Sequence, residues 1–99
     1  MRRLRVRKLA RSEIEAAYAW YLQHSPDAAQ RFLDAADEAI SLISNAPEQY
    51  PLVHGRLRRA LLRHFPYAVY YKVFPTVISI VGVIHGHRHP KTWLTRVKC

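Results

Sequence analysis

Residues 56–93 read RLRRALLRHFPYAVYYKVFPTVISIVGVIHGHRHPKTW, and the fold turns on how this stretch divides. Three runs of β-branched and aromatic residues, at roughly 56–63, 67–74 and 77–85, are separated by Pro66 and Pro75. Proline cannot donate to a strand ladder, so both prolines belong between strands. The connections are too short for crossovers, which predicts an antiparallel meander. The run from Val77 to Ile84 is apolar on both faces and is expected to be the central, most buried strand. The stretch carries many basic residues and neither Asp nor Glu.

Working upstream, Asn45, Pro47, Pro51 and Gly55 punctuate a loop over 46–55. Before it, Phe32, Leu33, Ala36, Ile40 and Ile43 form one helical stripe. Ser25 and Pro26 suit the N-cap and first turn of that helix, and Asp27 complements its dipole. An earlier stripe, Ile14, Ala17, Tyr18 and Tyr21, predicts a helix ending near His24, with Ser12 and Glu15 as its capping box. One or two residues separate these helices, so they must fold back as an antiparallel hairpin. Residues 4–9, LRVRKL, alternate apolar and basic side chains, as a half-buried strand with a basic outer face does. The order strand, helix, helix, three strands predicts a single α+β domain over 1–99. In it the hairpin packs on one face of a sheet that the first strand joins.

Ninety-nine residues with 49% hydrophobic side chains are enough to form a core without metals or disulfides. The single cysteine, Cys99, is the last residue and makes no internal bridge, which suits a reducing compartment. No apolar run approaches the roughly 18 residues of a membrane span. The segment MRRLRVRKLAR lacks the apolar core of a signal peptide. The expectation is a soluble, cytoplasmic protein.

The net charge of +9 is unevenly placed. All seven carboxylates lie between positions 13 and 48, whereas from Pro51 onward there are nine Lys or Arg, five His and no Asp or Glu. Such self-repulsion opposes folding, so it points to nucleic acid or an acidic protein as partner ahead of the alternative, a solvated basic surface kept for solubility.

His85, His87 and His89 alternate at the end of the third run. That spacing does not make three imidazoles converge, and no carboxylate lies nearby, so no metal or cofactor is expected. Two readings stay open: acid–base work beside Arg88, and a structural role in ending the strand. Arg56, Arg58, Arg59, Arg63 and His64, with Tyr67, Tyr70, Tyr71, Trp93 and Arg96, supply the cations and rings that single-stranded RNA or a protein target would meet. Alternation puts Arg59 and Arg63 on one face. Two of the three tyrosines are expected to be core.

In this order the pieces resemble the RelE/ParE superfamily of type II toxin–antitoxin toxins. The resemblance rests on the basic first strand, the helical hairpin, the N-A-P-x-x-Y-P turn at 45–51, FPYAVYY at 65–71, and H-x-x-R-x-P-x-x-W from His85 to Trp93. It implies a small basic toxin neutralised by an acidic antitoxin. Its target is then DNA gyrase, as for ParE-like members, or mRNA on the ribosome, cut by RelE-like members. RelE-like nucleases set two lysines two apart on one strand and an Arg just after the Tyr that begins the next. With that Tyr matched to Tyr67, these positions hold Arg59, Leu61 and Ala68. A further Arg is matched by Arg88, and a C-terminal Tyr is replaced by Trp93-Leu94. Two cations are kept and two positions are apolar, so the resemblance favours a ParE-like gyrase inhibitor. Were it a nuclease, Arg59 and Arg88 would hold phosphate, His64, His85 or His87 would move the proton, and Trp93 would stack on a base. A basic nucleic-acid-binding module without toxicity is the third reading.

Overall fold

A computed structural model describes residues 2–98. Cys99, with its expected lack of a disulfide, lies outside the described residues. Five strands form one sheet: β1 (Arg3–Val6), β2 (Leu52–His54), β3 (Leu57–Leu61), β4 (Tyr67–Val73) and β5 (Val77–His85). Their spatial order is β1-β5-β4-β3-β2. β1 runs parallel to β5, and every other pairing is antiparallel. The meander and the joining of β1 are therefore as expected. β5 is interior, and all seven residues between its ends are buried, although β4 holds the middle position.

Helices α1 (Lys8–His24) and α2 (Pro26–Asn45) form the hairpin, with Ser25 alone between them. Ser25 caps α2 through its hydroxyl, which accepts from the Ala28 N–H at 3.2 Å. Its own N–H closes α1 on the Tyr21 carbonyl. The hairpin buries Phe32, Ala36 and Ile43 against Val69, Tyr71, Ile78 and Ile80 of the sheet. Tyr21, Phe32, Phe65 and Tyr67 close one end as an aromatic cluster. Their centroids stand 5.4 Å apart for Tyr21–Phe32 and 5.3 Å for Phe32–Tyr67, a spacing typical of favourable ring pairs.

Three details differ from expectation. Ser12 is not a cap, because α1 begins at Lys8 and the first strand stops at Val6. The helical period extends back through Ile14 to Ala10, which is fully buried, and that packing outweighs a capping signal. The Ser12 hydroxyl instead donates to the Leu9 carbonyl at 2.7 Å, as serines inside helices do. The loop over 46–55 contains a 3₁₀ turn (Pro47–Gln49) and the short edge strand β2. β3 ends at Leu61, and the chain then turns through His64, whose φ of 65° lies in the left-handed region.

The sheet's other face is covered as well. After β5 the chain forms α3 (Lys91–Leu94) and a 3₁₀ turn (Thr95–Lys98), which fold back over the sheet. Trp93 and Val97 pack there on Leu57, Ala68, Tyr70, Val81 and Ile84.

Candidate functional site

On this second face, β3, β4, the end of β5 and α3 enclose an open cleft of about 490 Å³. The register explains who meets there. Arg59 pairs with Tyr70 and Leu61 with Ala68, so strand alternation points Arg59 and Leu61 to one side. His85 pairs with Tyr67 at the end of β5, and the following turn brings His87 and Arg88 to the rim. Trp93 stacks on Tyr70 at 5.7 Å and 14° and forms the floor. Arg59, His85, His87, Arg88, Tyr67 and Trp93 therefore share one cleft, whose lining carries no carboxylate.

The turn is held by its own hydrogen bonds. The Gly86 N–H donates to the Pro66 carbonyl at 2.7 Å, and the Arg88 N–H to the His85 carbonyl at 3.0 Å. The His85 Nδ1 accepts from the His87 N–H at 3.0 Å, and the His89 Nδ1 from the Lys91 N–H at 3.1 Å. An Nδ1 that accepts carries no proton, so each ring holds its hydrogen on Nε2 while these bonds last. Both histidines thus serve as strand-end and helix-start fasteners. Burial pushes the Tyr67 phenol above its ordinary pKa, against a smaller opposite pull from the Arg88 guanidinium. Tyr67 therefore enters neutral conditions as a phenol and is no ready base.

The remaining sequence candidates lie elsewhere. Arg58 faces the hairpin side and ties down the preceding loop, donating to the carbonyls of Tyr50 at 2.6 Å and Glu48 at 3.2 Å. Arg56 lies beside the Phe74 ring at 6.0 Å. Arg63 and His64 border a different hollow against α2, and Arg63 lies 3.9 Å from Glu38. Arg59 and Arg63 do not share a face, because β3 has ended before Arg63. Tyr70 and Tyr71 are the two core tyrosines. Among the described residues, no group of three or more His, Cys, Asp or Glu is placed to hold a metal.

Arg96 is buried rather than presented to a target. Its Nη1 and Nη2 donate to the two Glu13 carboxylate oxygens, each at 2.9 Å, and Nη1 also donates to the Val81 carbonyl at 2.9 Å. Glu13 Oε1 accepts in addition from the Val83 N–H at 3.1 Å. β1 accompanies β5 only as far as Ile80, so beyond it these two side chains take the place of a strand. Sequence reasoning missed this pair. The signal was Gly82, a lone glycine inside a strand, which marks a close approach. A Cβ there would lie 2.7 Å from Arg96 Nη1.

A second groove, about 630 Å³, runs between α1 and the end of β5 and meets the cleft at His85 and Arg88. Trp20, 54% exposed, stands on its wall and stacks on His24 at 4.2 Å.

A helical hairpin on one face of a small sheet, a basic cleft on the other and a net charge of +9 are the features that the resemblance to RelE/ParE superfamily toxins implies. Residues 4–90 match the family model of the ParE toxin of the type II toxin–antitoxin system parDE. Toxin ParE2 of Mycobacterium tuberculosis, from strains CDC 1551 and H37Rv alike, is 30% identical over 90 residues, spanning 90% of this chain and 86% of the relative. The fold matches a chain of the chromosomal ParDE system from P. aeruginosa with a TM-score of 0.77 and 19% identity, over 86% of this chain and 96% of that one. The chain belongs to the ParE toxin family of type II toxin–antitoxin systems.

Proposed function

We propose that this protein is a cytoplasmic toxin that arrests growth by binding DNA gyrase, and that an acidic antitoxin neutralises it. The observation that carries the reading is the composition of the cleft. Arg59 and Arg88 are there, but Leu61, 72% exposed, stands where a second cation would hold a scissile phosphate. One strong cation short, the cleft is better suited to grip a partner surface than to stabilise the transition state of phosphodiester cleavage. Membership of the ParE family supports the same reading. The charge of +9 supports an acidic antitoxin, since complementary fields speed and select association. No helix among the described residues is long and apolar enough to cross a membrane.

A ribosome-dependent mRNA endonuclease is the second reading. It is favoured by the convergence of Arg59, His85, His87 and Arg88 beside the Tyr70–Trp93 stack. Purified toxin added to gyrase and relaxed plasmid, with antitoxin-free expression in cells, separates the two. Loss of supercoiling with intact transcripts is the expected result. Transcripts cut at defined positions with supercoiling intact would overturn gyrase inhibition in favour of the nuclease. Harmless expression without antitoxin would overturn both.

A further inference from the structure

The sheet divides the side-chain charges by face. All seven Asp and Glu belong to α1, α2 or the 3₁₀ turn after α2, and Glu13, which reaches β5, is taken up by Arg96. Val77 and Ser79, the partners of Arg3 and Arg5, alternate along β5 with Ile78 and Ile80, which face the hairpin. Arg3 and Arg5 therefore project from the opposite face, the one that carries the cleft. The Arg7 N–H continues the ladder to the Ile80 carbonyl at 2.9 Å, and Arg7 is extended, so its side chain follows theirs. Strand geometry spaces the three about 6.6 Å apart in a row, and all are exposed. Among the described residues none of the three is in an ion pair; the pairs present involve Arg2, Arg31, Arg63 and Arg96. Arg7 also precedes α1 without a side-chain capping bond, and the first turn of that helix holds no acid. Three cations in a row, one of them at the positive pole of a helix, repel without compensation inside the chain.

We propose that Arg3, Arg5 and Arg7 form a site for the phosphate backbone of double-stranded DNA, separate from the cleft. On this face their neighbours Ser79 and Val81 are buried, and Leu4 and Val6 point the other way, so the row offers charge and no apolar anchor. A protein partner draws most of its affinity from such anchors, whereas backbone binding needs only cations that displace counterions. Neither β1 nor β5 carries Phe, Tyr or Trp, the rings on which a single strand would stack its bases. β5 and β4 separate β1 from β3 and its Arg59, about 14 Å by strand spacing. A duplex on the row therefore leaves the cleft open to a second partner. The choice of DNA among duplexes rests on the gyrase reading above, because that target itself holds a DNA duplex.

The test measures how the full chain binds a short fluorescent DNA duplex as salt is raised, beside an RNA duplex and a DNA single strand of the same sequence and a capped hexaglutamate peptide. Three phosphate contacts contribute about −2.7 to the slope of log affinity on log salt. Arg3→Gln, Arg5→Gln and Arg7→Gln together should flatten the slope by about that amount and weaken the duplex by about tenfold or more, with the urea midpoint unchanged. Arg11→Gln, Arg31→Gln and Arg63→Gln remove the same charge elsewhere and should leave most of the affinity. Equal losses in the two triple variants would reduce the row to net charge and overturn the site. Tighter binding of the single strand or of hexaglutamate would overturn it as well, and an RNA duplex bound as tightly as the DNA would overturn the choice of DNA. Supercoiling by gyrase, measured beside these, separates the two readings. If gyrase is inhibited by a toxin that does not bind the duplex, the site falls and the gyrase reading stands. If the row binds the duplex and gyrase still supercoils, the gyrase reading falls and the site stands.

Discussion

Removing Glu13 should destabilise the protein far more than an ordinary surface ion pair would. The Arg96 side chain is 8% exposed and that of Glu13 is 21% exposed. Between them they make three hydrogen bonds of 2.9 Å and one of 3.1 Å, two of the four to backbone groups of β5. In Glu13→Ala the guanidinium stays buried with only the Val81 carbonyl among these partners, and the Val83 N–H loses its acceptor. Breaking a buried pair from one side costs about 3–5 kcal/mol. Because Glu13 is partly reachable by water, the low end, about 3 kcal/mol, is expected. Glu13→Ala combined with Arg96→Met should cost less than the sum of the single changes by about 1–3 kcal/mol, since the two side chains act as one hydrogen-bonded unit. Gly82→Ala attacks the same pair from below and should cost about 1–3 kcal/mol, but less once Arg96 is gone. Urea denaturation of the purified single and double variants, monitored by tryptophan fluorescence, reads all five. A Glu13→Ala loss below about 1 kcal/mol, or strict additivity in the double variant, would refute the reasoning.

Three further outcomes follow from the geometry. Arg88→Ala should reduce toxicity on antitoxin-free expression while leaving the urea midpoint unchanged, because Arg88 is exposed on the rim where cleft and groove meet; full toxicity in the folded variant would demote it. Phe32→Ala empties a fully buried site in the aromatic cluster and should cost about 3–5 kcal/mol, measured by thermal and urea unfolding. Burial, against a weaker pull from Arg58 and with a small push from Tyr50, raises the Tyr71 phenol to about 12, and its hydroxyl donates to the Pro47 carbonyl at 2.6 Å. The unfolded chain releases that proton near pH 10, so this stabilisation is complete below about pH 10 and lost as pH rises toward about 12. Tyr71→Phe should be less stable at pH 8 and should decline less between pH 8 and 11.5; parallel declines in both proteins would refute the assignment.

The hairpin was legible because its signals are local. Ser25 and Pro26 start a helix whatever surrounds them, and the spacing from Phe32 to Ile43 reports one buried stripe. Pro66 and Pro75 likewise divided the strands without any tertiary information. The start of α1 was misjudged because a capping motif competed with a period running back to Ala10, and only the packed sheet reveals that Ala10 is buried. The candidate site was legible in part. Arg59 and Arg88 stand 29 positions apart, yet the antiparallel register sets both on one cleft, whereas Arg58 and Arg63, flanking Arg59 in sequence, are drawn to other work.

By itself, then, the sequence determined the hairpin, the meander of the three strands after it and the sign of the charge, since each depends on neighbours along the chain or on composition alone. The tertiary structure decided which cations remain available. Arg96 reads as one more basic residue in a basic tail, and it becomes a buried partner of Glu13 only because the C-terminal segment folds back over β5. That 83-residue separation carries no periodic signal. The burial of a charge depends on what the completed fold brings against it, and here Gly82 left just enough room.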